Sequence, residues 1–181
     1  GQRPGCGRTT MNRQKILIVD DSEMNREMLK AILGEGYKYA EAEDGAQALR
    51  MLQQDMNIDL VLLDIKALDP ELCVRLTGRD GGNTLATLDW CEESGKPVWI
   101  RHVLVPGLTL DRARLEALAA YLEPYRCIGK VELLPFHKMA DFKWKALGPE
   151  NHLADTPESE AAALREDDSL SSRRSRDCGP P

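Results

Sequence analysis

Two short apolar runs that each close on aspartate constrain this chain more than any other feature. Lys15–Val19 is apolar and β-branched and ends in Asp20-Asp21, and residues 58–63 repeat the pattern and end in Asp64. Runs of this length without polar alternation are buried on both faces, as in parallel sheets covered by helices on either side. The segments around them alternate in the same way. Ser22 is placed to cap a helix carrying Met24, Met28 and Ile32 at i, i+4, i+8 and stopped by Gly34 and Gly36. Residues 37–41 read as a second strand. Asp44 caps a helix with Ala48, Leu49 and Leu52 as its inner stripe, and residues 84–93 form another with Leu85, Leu88 and Cys91 inward. Residues 97–105 and 130–134 supply two further strands, separated by a helix that Asp111 caps and that carries Leu115, Leu118 and Leu122. Five strands separated by helices predict an α/β domain with a parallel sheet and right-handed crossovers.

In such a sheet ligands collect beyond the C-terminal ends of the strands, so Asp20, Asp21 and Asp64 converge if their strands are neighbours. Three carboxylates a few ångströms apart repel one another unless a cation neutralises them, and an all-oxygen donor set suits Mg²⁺. The same placement makes one carboxylate a candidate nucleophile toward a phosphoryl group. Aspartates at strand ends also serve as ordinary caps or solvated loop residues, a reading that an adjacent pair plus a third at a matching strand weakens.

Residues 14–66, with ILIVDDS, N-R-x-x-L, A-x-D-G-x-x-A-L and D-L-V-L-L-D-I, resemble the first half of a response-regulator receiver domain. That resemblance implies that Asp20 and Asp21 hold Mg²⁺, that Asp64 accepts the phosphoryl group, and that the Lys66 backbone carbonyl completes the metal site. It implies a histidine kinase or phosphotransfer protein as partner. After Asp64 the receiver pattern stops, since the chain reads KALDPELCVRLTG where a Met-Pro-x-Met-Asp-Gly type loop is usual. Residues 59–150, from DLVLLDIK through PVWIRHVLVPGLT to KVELLPFHKMADFKWKALG, resemble instead the C-terminal half of pyruvate formate-lyase activating enzyme, a radical S-adenosylmethionine family with a partial (βα) barrel. This second resemblance implies that Lys66, Arg101 and His137 line an S-adenosylmethionine pocket, that Asp64 belongs to a cation site, and that a glycyl-radical enzyme is the partner. The chain lacks that family's CxxxCxxC loop and its Gly-Gly-Glu segment, so no iron-sulfur cluster is expected on it.

The receiver pattern also loses a Ser or Thr after strand four and the Lys of a Lys-Pro pair after strand five. Leu134 stands before Pro135, with Thr109, His137 and Lys138 as substitutes within sequence reach. Loss of one charge-assisted contact to a phosphoryl oxygen removes about 1.5–3 kcal/mol, enough to impair transfer. Arg101 and His102 alternate on an apolar strand and so face opposite sides. Lys96-Pro97 precedes a strand rather than following one, which is the wrong geometry for the missing pair. Trp90, Trp99 and Trp144 read as core and rim packing.

Composition agrees with these limits. The 181 residues, 42% of them hydrophobic, suffice for a core, and 24 basic against 30 acidic side chains leave a net charge of −6, with no broad cationic surface for nucleic acid. No run approaches the roughly 18–20 apolar residues of a membrane span, and the first residues lack a signal-peptide core, so a cytoplasmic protein is expected. Five cysteines without CxxC or CxxxC spacing encode no local zinc or cluster site. Five of six methionines lie at or before Met56, all three tryptophans lie from Trp90 to Trp144, and no proline occurs between Pro4 and Pro70. The expected organisation is therefore a disordered leader (1–10), a receiver-like half (11–66), an activase-like βα half (67–150) completing the same domain, and a mostly disordered tail (151–181). A short helix near Thr156-Pro157 is expected to cover the last strand with residues 161–164. The five strands are expected in the flavodoxin-like order 2-1-3-4-5, as one hybrid of two βα sources that share the strand ending at Asp64.

Overall fold

The computed structural model describes residues 13–136; the predicted leader, tail and Thr156 helix, together with His137, Lys138, Trp144, Cys6 and Cys178, lie outside them. The elements run β1 (Lys15–Val19), α1 (Glu23–Leu33), β2 (Lys38–Ala42), α2 (Gly45–Gln54), β3 (Leu60–Asp64), α3 (Pro70–Thr77), α4 (Gly82–Ser94), β4 (Val98–Leu104), α5 (Arg112–Leu122) and β5 (Ile128–Pro135). The sheet is parallel throughout, in the order β2-β1-β3-β4-β5. This is the open flavodoxin-like arrangement, with β2 and β5 at its edges.

Burial explains why β1 and β3 lie inside. Leu17, Ile18, Val61 and Leu63 are completely or almost completely enclosed, and each such side chain contributes about 1.5–3 kcal/mol relative to exposure. One sheet face carries Leu17, Val19, Val61, Leu63, Val98 and Ile100 into a cluster with Ala48 and Leu52 of α2, Leu88 and Cys91 of α4, and Leu118 and Leu122 of α5. The opposite face packs Ile16, Ile18 and Leu62 against Leu29 of α1. Side-chain alternation along the strands produces the two sets.

The local cap signals are realised as hydrogen bonds. Ser22, Asp44 and Asp111 accept from the backbone N–H of Asn25, Gln47 and Arg114 at the starts of α1, α2 and α5. Two features depart from the sequence reading. First, α1 does not turn its Met24, Met28 and Ile32 stripe inward: Met28 and Ile32 are 48% and 73% exposed, and Arg26 and Leu29 are buried instead. Polar anchors fix this rotation, since Arg26 Nη1 donates to the Asp20 carbonyl at 2.7 Å and its Nε to Glu41 at 3.2 Å. Second, the segment after Asp64 contains a helix, α3, that the pattern did not anticipate. Its signal is local: Asp69 caps, Pro70 takes the first helical position, and Gly78 ends it at φ 77°.

No helix of the described residues is long and apolar enough to cross a membrane. Lys96 donates from Nζ to the carbonyls of Met56 and Ile58 and so ties the start of β4 to the loop before β3.

Candidate functional site

The register of the central strands decides the site. Val19 pairs with Leu63, so Asp20 and Asp64 leave adjacent strands at the same level. Asp20 is 3% exposed and Asp64 7%. Asp20 is held in place by the backbone N–H of Ser22, which donates to Oδ1 at 2.9 Å, and by Asn25 Nδ2, which donates to Oδ2 at 3.2 Å. Asp21 is more open, with 38% of its side chain accessible.

A single cation meets all three carboxylates. Lys66, two residues beyond Asp64, folds its ammonium back to lie 2.6 Å from Asp64 Oδ2, 3.1 Å from Asp21 Oδ1 and 3.6 Å from Asp20 Oδ1. Burial works against the Lys66 charge, but Asp64, Asp20 and Asp21 together outweigh it and hold its pKa above the ordinary lysine value. Asp20 titrates above the ordinary carboxylate range. Its burial is the main cause and the nearby Asp64 charge adds to it, against the opposing pull of Lys66.

From the other side Arg101 lies level with Asp64 in the β3–β4 register, its Nη1 3.9 Å from Asp20 Oδ2 and its Nε 3.6 Å from Glu132 Oε2. Glu132 of β5 is level with Arg101, and Leu134 lies two positions farther along. A glutamate therefore stands on β5 beside Arg101, two positions before the Leu134 that precedes Pro135. His102 faces the opposite way, as alternation predicts, and its Nδ1 is 2.6 Å from the Ile65 carbonyl. Burial lowers its pKa, against the hydrogen bond to the Ile65 carbonyl.

Thr109 does not reach the carboxylates. Its hydroxyl donates to the Val103 carbonyl at 2.5 Å and accepts from the Val105 N–H at 2.7 Å, so it is engaged in tying the β4–α5 loop to the end of β4. The pocket above the aspartates is lined instead by residues that the sequence reading passed over, among them Cys73, Thr77, Arg79 and Thr84. Arg79 Nη1 pairs there with Asp44 Oδ2 at 2.7 Å. The available signal was positional: all four lie on or beside α3 and the start of α4, which pack over the strand ends.

The residues answer the question of Mg²⁺ in two parts. Their chemistry suits it, since the donors are hard oxygens and Asp64 Oδ1 is buried without a hydrogen-bond partner. Their arrangement does not fit it, because the Lys66 ammonium stands at the shared point and, among the described residues, no three Cys, His, Asp or Glu side chains are placed to hold one metal ion. Lys66 thus brings its side chain, rather than only a backbone carbonyl, to the carboxylates. Of the three residues expected to line an S-adenosylmethionine pocket, Lys66 and Arg101 both approach Asp20, and His137 lies outside the described residues.

Comparison with known proteins adds two relationships. Residues 16–90 match the family model of the response regulator receiver domain. The chain is 46% identical over 90 residues to the pyruvate formate-lyase-activating enzyme of Streptococcus mutans serotype c (strain ATCC 700610 / UA159), covering 50% of this chain and 34% of that protein. It is 40% identical over 105 residues to the enzyme of the same name from Staphylococcus aureus (strain USA300), covering 57% and 42%. The chain thus spans less than half the length of these curated relatives. A solved domain of a pyruvate-formate lyase-activating enzyme from Bacteroides vulgatus ATCC 8482 shares the fold, with TM-score 0.57, 17% identity, and coverage of 86% of this chain and 92% of that one. The chain therefore resembles two families at once, the receiver domain across residues 16–90 and the pyruvate formate-lyase-activating enzymes across about half of its length.

Proposed function

We propose that this chain is a phosphoacceptor module of two-component signalling, with Asp64 as the residue that is phosphorylated. The observation that carries the reading is the position of Asp64. It is the last residue of a central strand, enclosed, with one carboxylate oxygen paired to Lys66 and the other buried without a partner. The attacking oxygen of Asp64 forms a bond to phosphorus as the phosphorus–nitrogen bond of a phosphohistidine breaks. The product is an acyl phosphate on Asp64 and a free histidine on the donor, a histidine kinase or phosphotransfer protein. Lys66 and Arg101 offset the charge that arrives. Glu132 opposes it, and Leu134 stands before Pro135 in place of the lysine of the receiver pattern, so the transfer is slow. Intact-mass analysis after incubation with acetyl phosphate, with and without Mg²⁺, tests this. A phosphoryl increment that disappears in Asp64→Asn is expected, and an increment that survives that substitution, or none at all, overturns the reading.

The 46% identity over 90 residues to an activating enzyme favours a second reading. In it the later half of the chain binds S-adenosylmethionine through Lys66, Arg101 and His137 and docks on a glycyl-radical enzyme, with any iron-sulfur cluster supplied from outside this chain. Calorimetry with S-adenosylmethionine separates the two readings: binding weakened by His137→Ala supports the second, and no heat at high concentration removes it.

A further inference from the structure

Three carboxylates facing one point need positive charge, and this chain already carries it on one of its own side chains. Lys66 follows Asp64 by two residues, and its flexible four-carbon stem brings the ammonium back over the end of β3. An ammonium has three N–H donors and no acceptor, and three carboxylate oxygens lie at 2.6, 3.1 and 3.6 Å from it. The match between donors and acceptors is partial on the lysine side, where Nζ donates a hydrogen bond to Asp64 Oδ2 and meets Asp21 and Asp20 as ion pairs. The match is incomplete on the acid side as well, where Asp64 Oδ1 remains buried and unpartnered. One positive charge from Lys66 and a more distant one from Arg101 stand against three carboxylates.

We propose that Lys66 is a tethered cation that takes the place of a metal ion in the aspartate cluster, so that the native chain binds divalent cations weakly and loss of the ammonium lets the carboxylates close on a divalent cation instead. A free ion must enter at about 2.0–2.1 Å from its oxygen ligands, inside the ammonium's own contacts, and two cations at that spacing repel strongly where water is scarce. The tether also gives Lys66 an effective concentration that a free ion has to overcome. Lys66 therefore decides which cation the cluster accepts. The inference uses the same three aspartates as the phosphoacceptor reading but does not depend on phosphotransfer, so it is tested without a phosphodonor.

The experiment titrates MgCl₂ into the full chain by calorimetry at constant ionic strength, comparing the native protein with Lys66→Met and with Lys66→Met combined with Asp64→Asn. Binding about tenfold tighter or more is expected in Lys66→Met, equivalent to about 1.4 kcal/mol, and the added Asp64→Asn should erase that gain. A Lys66→Met protein that binds Mg²⁺ no more tightly than the native one overturns the inference. A measurement on the native protein decides the matter even if Lys66→Met does not fold. The ¹⁵N-detected Lys66 ammonium signal should persist unshifted when Mg²⁺ is added in modest excess over protein, and its displacement there also overturns the inference.

Discussion

Lys66 and Asp64 form an ion pair of 2.6 Å across the last turn of chain after β3, with 20% of the lysine side chain and 3% of the aspartate side chain exposed. The pair sets the electrostatics of the cluster. It satisfies one oxygen of Asp64, draws Asp21 in at 3.1 Å, and leaves Asp20 at 3.6 Å with more burial than compensation. Asp20 is the most enclosed acid of the three, and its burial outweighs the pull of the Lys66 charge; the first prediction follows from it.

Asp20→Asn is expected to stabilise the protein by about 1 kcal/mol near neutral pH, since a buried charge with imperfect partners costs more than it returns. The amide keeps an oxygen for the Ser22 N–H. The sign follows from the direction of the shift: burial raises the folded pKa of Asp20, so its ionisation weakens the fold as pH rises through that raised value. Urea denaturation at several pH values should show the variant's advantage growing from acid toward neutral pH. A variant less stable than the native chain at neutral pH would contradict the charge balance drawn here.

Gly45 opens α2 where α4 crosses it most closely. A Cβ at this position would overlap the backbone carbonyl of Asn83, and the fully buried Thr87 hydroxyl donates to the Gly45 carbonyl at 3.0 Å. Backbone cannot move aside as the end of a flexible side chain can, so Gly45→Ala should cost about 3 kcal/mol. Chemical denaturation measures this directly. An alanine variant as stable as the native chain would mean that α2 and α4 do not meet in this way.

Glu41 links β2 to α1, accepting from Lys30 Nζ at 2.7 Å and from Arg26 Nε at 3.2 Å. The Lys30 contact is the main cause of a pKa below the ordinary glutamate value of 4.5, with burial opposing it and Arg26 assisting. A lowered carboxylate contributes stability above the unfolded value and loses it as pH falls through the folded one. The stability difference between the native chain and Glu41→Gln should therefore be full at neutral pH and close as the solution is acidified below 4.5. A difference that does not change with pH would assign the effect to packing rather than charge.

Cys91 is completely enclosed beneath α4, and burial pushes its thiol up to about 12. Cys127 reaches about 12 as well, through burial first and then the adjacent Glu92 carboxylate. Reactivity belongs to the thiolate, so neither cysteine should be alkylated at mildly alkaline pH while the chain is folded, and both should be after unfolding. Peptide-resolved mass spectrometry gives the answer. Modification of native Cys91 at the denatured rate would show that the core around α4 opens.

The amino-acid sequence by itself determined the strand–helix alternation, the caps at Ser22, Asp44 and Asp111, the inward faces of α4 and α5 and, for Ala48 and Leu52 but not the half-buried Leu49, that of α2, and the arrival of aspartates at the ends of β1 and β3. These follow from short-range chemistry: apolar period and cap hydrogen bonds. Only the tertiary structure decided which cation meets the aspartates, because a lysine stem is equally able to point to water or fold back, and its direction depends on how α3 and α4 close over the strand ends. The same holds for the rotation of α1, where hydrogen bonds from Arg26 to the Asp20 carbonyl and Glu41 outweigh a methionine and isoleucine stripe. It holds too for Thr109, whose hydroxyl is within reach in sequence yet is engaged in tying its own loop to the end of β4. Local pattern says where charges arrive; burial and the competition among partners say which of them pair.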